Sequence, residues 1–181
     1  MKDPVKFTYT LTAPGTASGS VELNGQKAEF VVSNAGNPLA DLLRGMVSLI
    51  FEPSHIWDEE NIQLIDWYGN EKSYKWAFST DDGETIRIKI IEYTDLFDSS
   101  TAITKLNGAC PMLSFYYGII TELDRFIKDT GLLNYEQQWQ KEEFPLTYFL
   151  ILKKHLVERG LWDKEYKSSG ILNNEMDILF L

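Results

Sequence analysis

Cysteine is all but missing from this chain: Cys110 stands alone among 181 residues. An internal disulfide is excluded, and a reducing, cytoplasmic setting is the expectation. Histidine is nearly as scarce. His55 and His155 lie far apart in the sequence, neither has a neighbour at metal-ligand spacing, and both read as structural or surface residues. No metal and no other cofactor is expected. There is no glycine-rich phosphate loop and no nucleophile elbow. No apolar run approaches the roughly 20 residues that span a bilayer, and the opening Met-Lys-Asp-Pro-Val-Lys lacks the apolar core of a signal peptide. Base is short as well, with 17 Lys and Arg against 27 Asp and Glu, a net charge of −10 shared evenly by the two halves. Nucleic acid needs a basic footprint to neutralise phosphates, so it is not the expected partner. A basic protein is what this charge attracts.

What the chain does have is apolar and aromatic residues, 44% and 13% of the sequence. That is enough for a sizeable core, and it argues against disorder. The residues organise around the stretch from Pro111 to Asp129. Met112, Tyr116, Ile119, Ile120, Leu123 and Ile127 recur at helical spacing, with Leu113, Phe115 and Phe126 widening the stripe. Pro111 suits a first turn and Gly131 a helix end. Gly118 costs about 1 kcal/mol against alanine in a helix interior. Its presence predicts that another backbone passes close by.

Ahead of that helix the pattern is mostly of period two. Val5, Phe7, Tyr9 and Leu11 alternate with polar residues, a second strand covers about 18–23, and Asn24-Gly25 makes a type I′ turn into Ala28, Phe30 and Val32. Asn37-Pro38 starts a helix whose face is Leu39, Leu42, Leu43, Met46, Leu49 and Ile50. Strands then follow at 62–68, around Tyr74, Trp76 and Phe78, and along Ile86, Ile88 and Ile90, with a short fourth near 102–106. Lys75, Arg87 and Lys89 take the opposite face of that hairpin. A helical turn or two at 135–141 and a helix from Phe144-Pro145 to Arg159 complete the order, and the apolar end at 178–181 is expected to dock on the rest. Strands joined by short turns pair antiparallel, and amphipathic helices need a sheet to cover. The expectation is one α+β domain over residues 1–181, in two layers, with a sheet of six to seven strands under three main helices.

Residues 45–71 contain no Lys or Arg but carry Glu52, Asp58, Glu59, Glu60, Asp66 and Glu71. Trp57 precedes the acidic triplet, and Trp67 follows Asp66. Aromatic anchors beside unpaired acids suit a basic protein partner, so Trp57, Asp58, Glu59, Glu60, Asp66 and Trp67 form the candidate partner-binding set. The bland alternative is a solvated acidic loop with its tryptophans in the core. Glu92 keeps the phase of Ile86, Ile88 and Ile90, and Asp66 that of Ile62 and Leu64. Two inward carboxylates are what general acid–base chemistry would use, so Glu92 and Tyr93 are candidate lining of a cleft between sheet and helices. Cys110 at a helix start reads as a buried, inert thiol, and Asp81-Asp82-Gly83 as a hairpin turn. No catalytic constellation emerges.

Pro38-Leu39-Ala40-Asp41-Leu42-Leu43-Arg44, then Trp67, Trp76 and the Ile86–Ile91 strand, resemble a group of uncharacterised bacterial α+β proteins. In these an Asp-Leu-Leu-Arg helix follows a β-hairpin and precedes a tryptophan-bearing meander. The resemblance brings no catalytic residues with it. In size, charge and fold class the chain is also similar to the small acidic immunity proteins encoded beside bacterial toxins. The resemblance implies an immunity protein that blocks a basic toxin domain by contact. The competing expectation is a small enzyme or ligand-binding domain that uses the cleft.

Overall fold

The computed structural model describes residues 5–51, 61–95, 97–162 and 170–178. Its first unit is a meander of three strands, β1 (Lys6–Ala13), β2 (Thr16–Leu23) and β3 (Gln26–Ser33), paired antiparallel in that order. The turn between β2 and β3 places both Asn24 and Gly25 at positive φ, as a type I′ turn requires. Helix α1 (Pro38–Phe51) follows, and the Asn37 side chain accepts from the Ala40 N–H at 3.3 Å to cap it.

A second antiparallel sheet comes next, built of β4 (Asn61–Tyr68), β5 (Ser73–Thr80), β6 (Thr85–Tyr93) and β7 (Ile103–Pro111), again in chain order. Helices α2 (Met112–Thr130), α3 (Leu132–Trp139), α4 (Leu146–Glu158) and α5 (Ile171–Asp177) close the chain. Among the described residues seven strands divide into sheets of three and four, not the single sheet expected from the sequence, and five helices stand where three main ones were expected. The physical reason lies in α1. It separates β3 from β4, so the two strands are never joined by a turn that would put them side by side. The strand expected near 102–106 is also longer, running on to Pro111.

The inner faces of the two sheets meet through aromatic rings. Phe30 of β3 lies edge-on to Trp67 at 4.9 Å, and Trp67 lies 4.6 Å from Trp76. Phe78 carries the chain of rings on to Phe115 of α2. Buried residues of both sheets and of α1 to α4 form one contiguous core. Each fully buried large apolar side chain there contributes roughly 1.5–3 kcal/mol. Helix α1 packs on β4, α2 on β1, and α4 on both helices. A Cβ on Gly118 would stand 2.5 Å from the Val5 carbonyl oxygen, so the close backbone expected from that glycine is the residue that leads into β1. Asp124 of α2, almost fully buried, accepts from Lys128 of the same helix at 2.8 Å and ties α2 to α4 by accepting from Lys153.

Candidate functional site

The outer faces of the two sheets differ in chemistry. On the first sheet that face is mostly polar, with Val31 as an exposed apolar residue on it. Lys6 pairs with Glu22 at 3.4 Å, Thr8 with Ser20 at 3.1 Å and Lys27 with Glu29 at 2.6 Å. On the second sheet, β4 presents Ile62, Leu64, Asp66 and Tyr68 to the outside. Leu64 is 68% exposed and Ile62 49%. This stripe of alternate residues lies on the edge strand, whereas the neighbouring positions on β5 and β6 are Lys75, Ala77, Ser79, Arg87 and Lys89.

The phase of β4 corrects one expectation. Ile65 and Trp67, paired with Trp76 and Tyr74 on β5, turn inward, because the rings of Trp67 and Trp76 pack together there, tilted by 46°. Ile62, Leu64 and Asp66 are therefore outward, and Asp66 is not an inward carboxylate. It is exposed, with Lys75 Nζ 3.8 Å away. Trp67 is 1% exposed. It belongs to the core and is not available as a surface anchor. Trp57, Asp58, Glu59 and Glu60 lie outside the described residues, as do positions 179–181 of the apolar end.

Glu92 is inward, as its phase implies, and only 6% exposed. Lys72 Nζ donates to it at 2.9 Å, and Lys105 Nζ stands 3.9 Å from its other oxygen. The phase of β6 gave Glu92, but its lysines come from the β4–β5 turn and from β7, and only tertiary pairing brings them together. The three line a cavity of about 500 Å³ with Glu29, Asn70, Glu71 and Tyr74. The Tyr74 hydroxyl is occupied as acceptor for the Val31 N–H at 3.2 Å, and burial raises its pKa. Tyr93 does not line this cavity. It pairs with Ser73 on the opposite face, where Lys75 Nζ lies 5.9 Å above its ring. Glu92 and Asp66 thus stand on opposite faces of one sheet and cannot act as an acid–base pair.

The other titratable candidates are quiet. Burial pushes the Cys110 thiol up to about 11, so it is protonated and inert near neutrality. His155 sits in the last turn of α4, its pKa lowered first by burial and then by Arg159. It lines a cavity of about 520 Å³ with Glu84, Arg159 and apolar residues of α1 and α2. Asp82 accepts from the Thr85 and Glu84 N–H groups at 2.7 and 2.8 Å, which holds its carboxyl down to about 2. With Gly83 at φ +71°, that geometry accounts for Asp81-Asp82-Gly83 as a turn. Among the described residues no group of three or more His, Cys, Asp and Glu could hold a metal ion, and no helix is long and apolar enough to cross a membrane.

Along its outer edge β4 borders α1. Asp41, Arg44 and Gly45 of the helix, with Gln63, Leu64, Ile65, Asp66 and Tyr68 of the strand, line an open groove of about 240 Å³. Residues 63–66 point alternately to the two faces of the sheet, so a groove that touches all four runs along the strand's edge. Burial raises the Asp41 carboxyl above its usual range; Arg44, in contact with it, counters this, and Glu142 adds to it. Sequence periodicity marks Ile62 and Leu64 as one face of a strand. Nothing in it says that this face is the uncovered one. No family model, curated protein or solved structure matches the chain.

Proposed function

We propose that the protein acts by binding a basic protein partner, in the manner of an immunity protein that covers a toxin domain, and that β4 is the centre of its contact surface. The observation that carries this is the stripe of Ile62, Leu64 and Tyr68 on the outer face of an edge strand, beside Asp66. Exposed apolar side chains in a row mark interaction sites on proteins that otherwise keep such faces polar, and the outer face of the first sheet is polar apart from Val31. Asp58, Glu59 and Glu60 lead directly into β4 in the sequence, and they supply the charge that would draw in a basic partner. Trp57 stays in the contact set on the same sequence argument. Trp67 leaves it.

The experiment is site-specific photo-cross-linking in the cells that make the protein, with the reactive group at position 64 or at position 157. Val157 on α4 is 52% exposed and serves as the control. A basic protein captured from position 64 and not from position 157 supports the reading. No product at 64, or the same products at both positions, contradicts it.

One observation favours a second reading. The carboxylate of Glu92 between Lys72 and Lys105 opens on a cavity large enough for a small polar ligand. No nucleophile with an adjacent base lines it, so this reading is one of binding and not of catalysis. Ligand-induced thermal shifts that disappear in Lys72→Ala and Lys105→Ala would support it.

A further inference from the structure

Two ties fasten β3 to the second sheet, and the seam between the sheets opens between them. At one end the Gln26 side chain donates to the Asn107 carbonyl and accepts from its N–H, both at 3.0 Å. At the other the Val31 N–H donates to the Tyr74 hydroxyl at 3.2 Å. Leu23 pairs with Gln26 across a two-residue turn, so Lys27, Glu29 and Val31 turn their N–H and C=O groups away from β2. The main chain of Glu29 thus faces the seam, and no hydrogen bond among the described residues reaches it there. Here lies the cavity of about 500 Å³ beside Glu92, within the range of roughly 300–1,000 Å³ typical of small-molecule sites.

Charge around the cavity is balanced. Glu29, Glu71 and Glu92 meet Lys72 and Lys105, and Lys27 pairs with Glu29 at 2.6 Å. A ligand with a net charge of either sign would stand unmatched against this set. Hydrogen-bonding capacity, by contrast, is left over. Lys72 donates to one oxygen of Glu92 at 2.9 Å, but Lys105 Nζ stands 3.9 Å from the other, beyond hydrogen-bond reach. A donor and an acceptor therefore lie side by side with room for a third group to bridge them. The Tyr74 hydroxyl accepts from Val31 and keeps its own proton to donate. The Asn70 amide, donor and acceptor at once, makes no hydrogen bond among the described residues. Glu92 is nine-tenths buried, so the array is fixed in place by the fold.

We infer that the cavity takes a neutral sugar, with a vicinal diol set between Glu92 and Lys105. The inference rests on the second reading above and names its ligand. A hydroxyl both gives and takes a hydrogen bond. One O–H of the diol donates to Glu92, and the neighbouring oxygen accepts from Lys105. Neither ion pair has to break, no charge is added, and both new bonds are charge-assisted, which makes them the stronger kind. Val31, half exposed, and Phe30 supply an apolar wall for the C–H face of the ring. An amino acid is the poorer ligand, because its ammonium and carboxylate would compete with pairs already made.

The probes are the methyl pyranosides of glucose, galactose and mannose, each titrated into the full chain and followed by NMR. At least one should bind, with amide shifts confined to residues 29–31, 70–74, 92 and 105. Lys105→Met, which leaves the Lys72–Glu92 pair intact, should weaken that binding at least tenfold with the melting temperature unchanged. Glu92→Gln should weaken it too. Lys89→Met, exposed on the other face of the same sheet, should not. Aminated and carboxylated forms of the same ring, such as glucosamine and glucuronate for glucose, should bind at least tenfold more weakly. Tenfold tighter binding of an oligosaccharide ending in that ring identifies a glycan as the source, and equal affinity identifies the free sugar. The inference is overturned if no glycoside binds, if Lys105→Met and Lys89→Met act alike, or if a charged form binds as tightly as the neutral one. A thermal shift with serine that is abolished in Lys72→Ala, without any sugar binding, would overturn the sugar and leave the small-ligand reading standing. No response to any sugar or amino acid would remove that reading as well.

Discussion

The side-chain amide of Gln26 meets the main chain of Asn107 as another strand would, donating to its carbonyl and accepting from its N–H. Through this pair the turn between β2 and β3 closes the outer edge of β7. The contact is exposed, so each hydrogen bond is worth about 0.5–1.5 kcal/mol net. Gln26→Ala should therefore cost about 1–2 kcal/mol by denaturant titration, and the Asn107 amide should exchange faster. If the exchange rate at Asn107 stays unchanged, the side chain does not close this edge in solution.

Gly118 allows a second test, one in which two effects oppose each other. Alanine is favoured over glycine in a helix interior by about 1 kcal/mol. Here, however, a Cβ would sit 2.5 Å from the Val5 carbonyl oxygen, a backbone atom with little room to yield. Overpacking of that kind costs typically 1–3 kcal/mol, so Gly118→Ala should lower stability in spite of its better propensity. A rise in melting temperature would mean that α2 and β1 are not held this close.

Asp82 gives the pH dependence. Its folded-state pKa, about 2, lies below the ordinary 3.8, because the Thr85 and Glu84 amides bond to the carboxylate. A depressed pKa means that the carboxylate's contribution is complete above the unfolded value, and that it is lost as pH falls from about 4 to about 2. Comparison of wild type with Asp82→Asn across that range should show the wild-type advantage shrinking toward acid. An advantage that does not change with pH would show that the charge of Asp82 has no part in holding the turn.

How far the sequence could be read depended on whether a signal was local. The Asn37 cap, the Asn24-Gly25 turn and the face of α2 depend on neighbours within a few residues, and all three appear in the fold. Gly118 is more informative, since its cost in a helix announced a close backbone without saying whose. The phase of β4 was not legible. Ile62, Leu64 and Asp66 alternate as cleanly as Ile65 and Trp67, and only the packing of Trp67 against Trp76 and against Phe30 of the other sheet decides which set faces inward. The division into two sheets escaped for a similar reason, because strand count follows from local alternation whereas sheet membership depends on contacts far apart in sequence. The two lysines beside Glu92 come from β7 and the β4–β5 turn, and no spacing in the chain announces them.

The central claim is that β4 binds a basic protein, and the kinetics of the partner captured at position 64 test it most directly. Association and dissociation would be measured for wild type, Ile62→Ala/Leu64→Ala and Asp66→Lys over a range of salt. The alanine pair should speed dissociation and weaken affinity by tenfold or more without lowering the melting temperature, because both side chains are exposed in the free protein. Asp66→Lys should slow association and flatten its salt dependence. If all three proteins bind with the same rates at every salt concentration, β4 is not the contact surface.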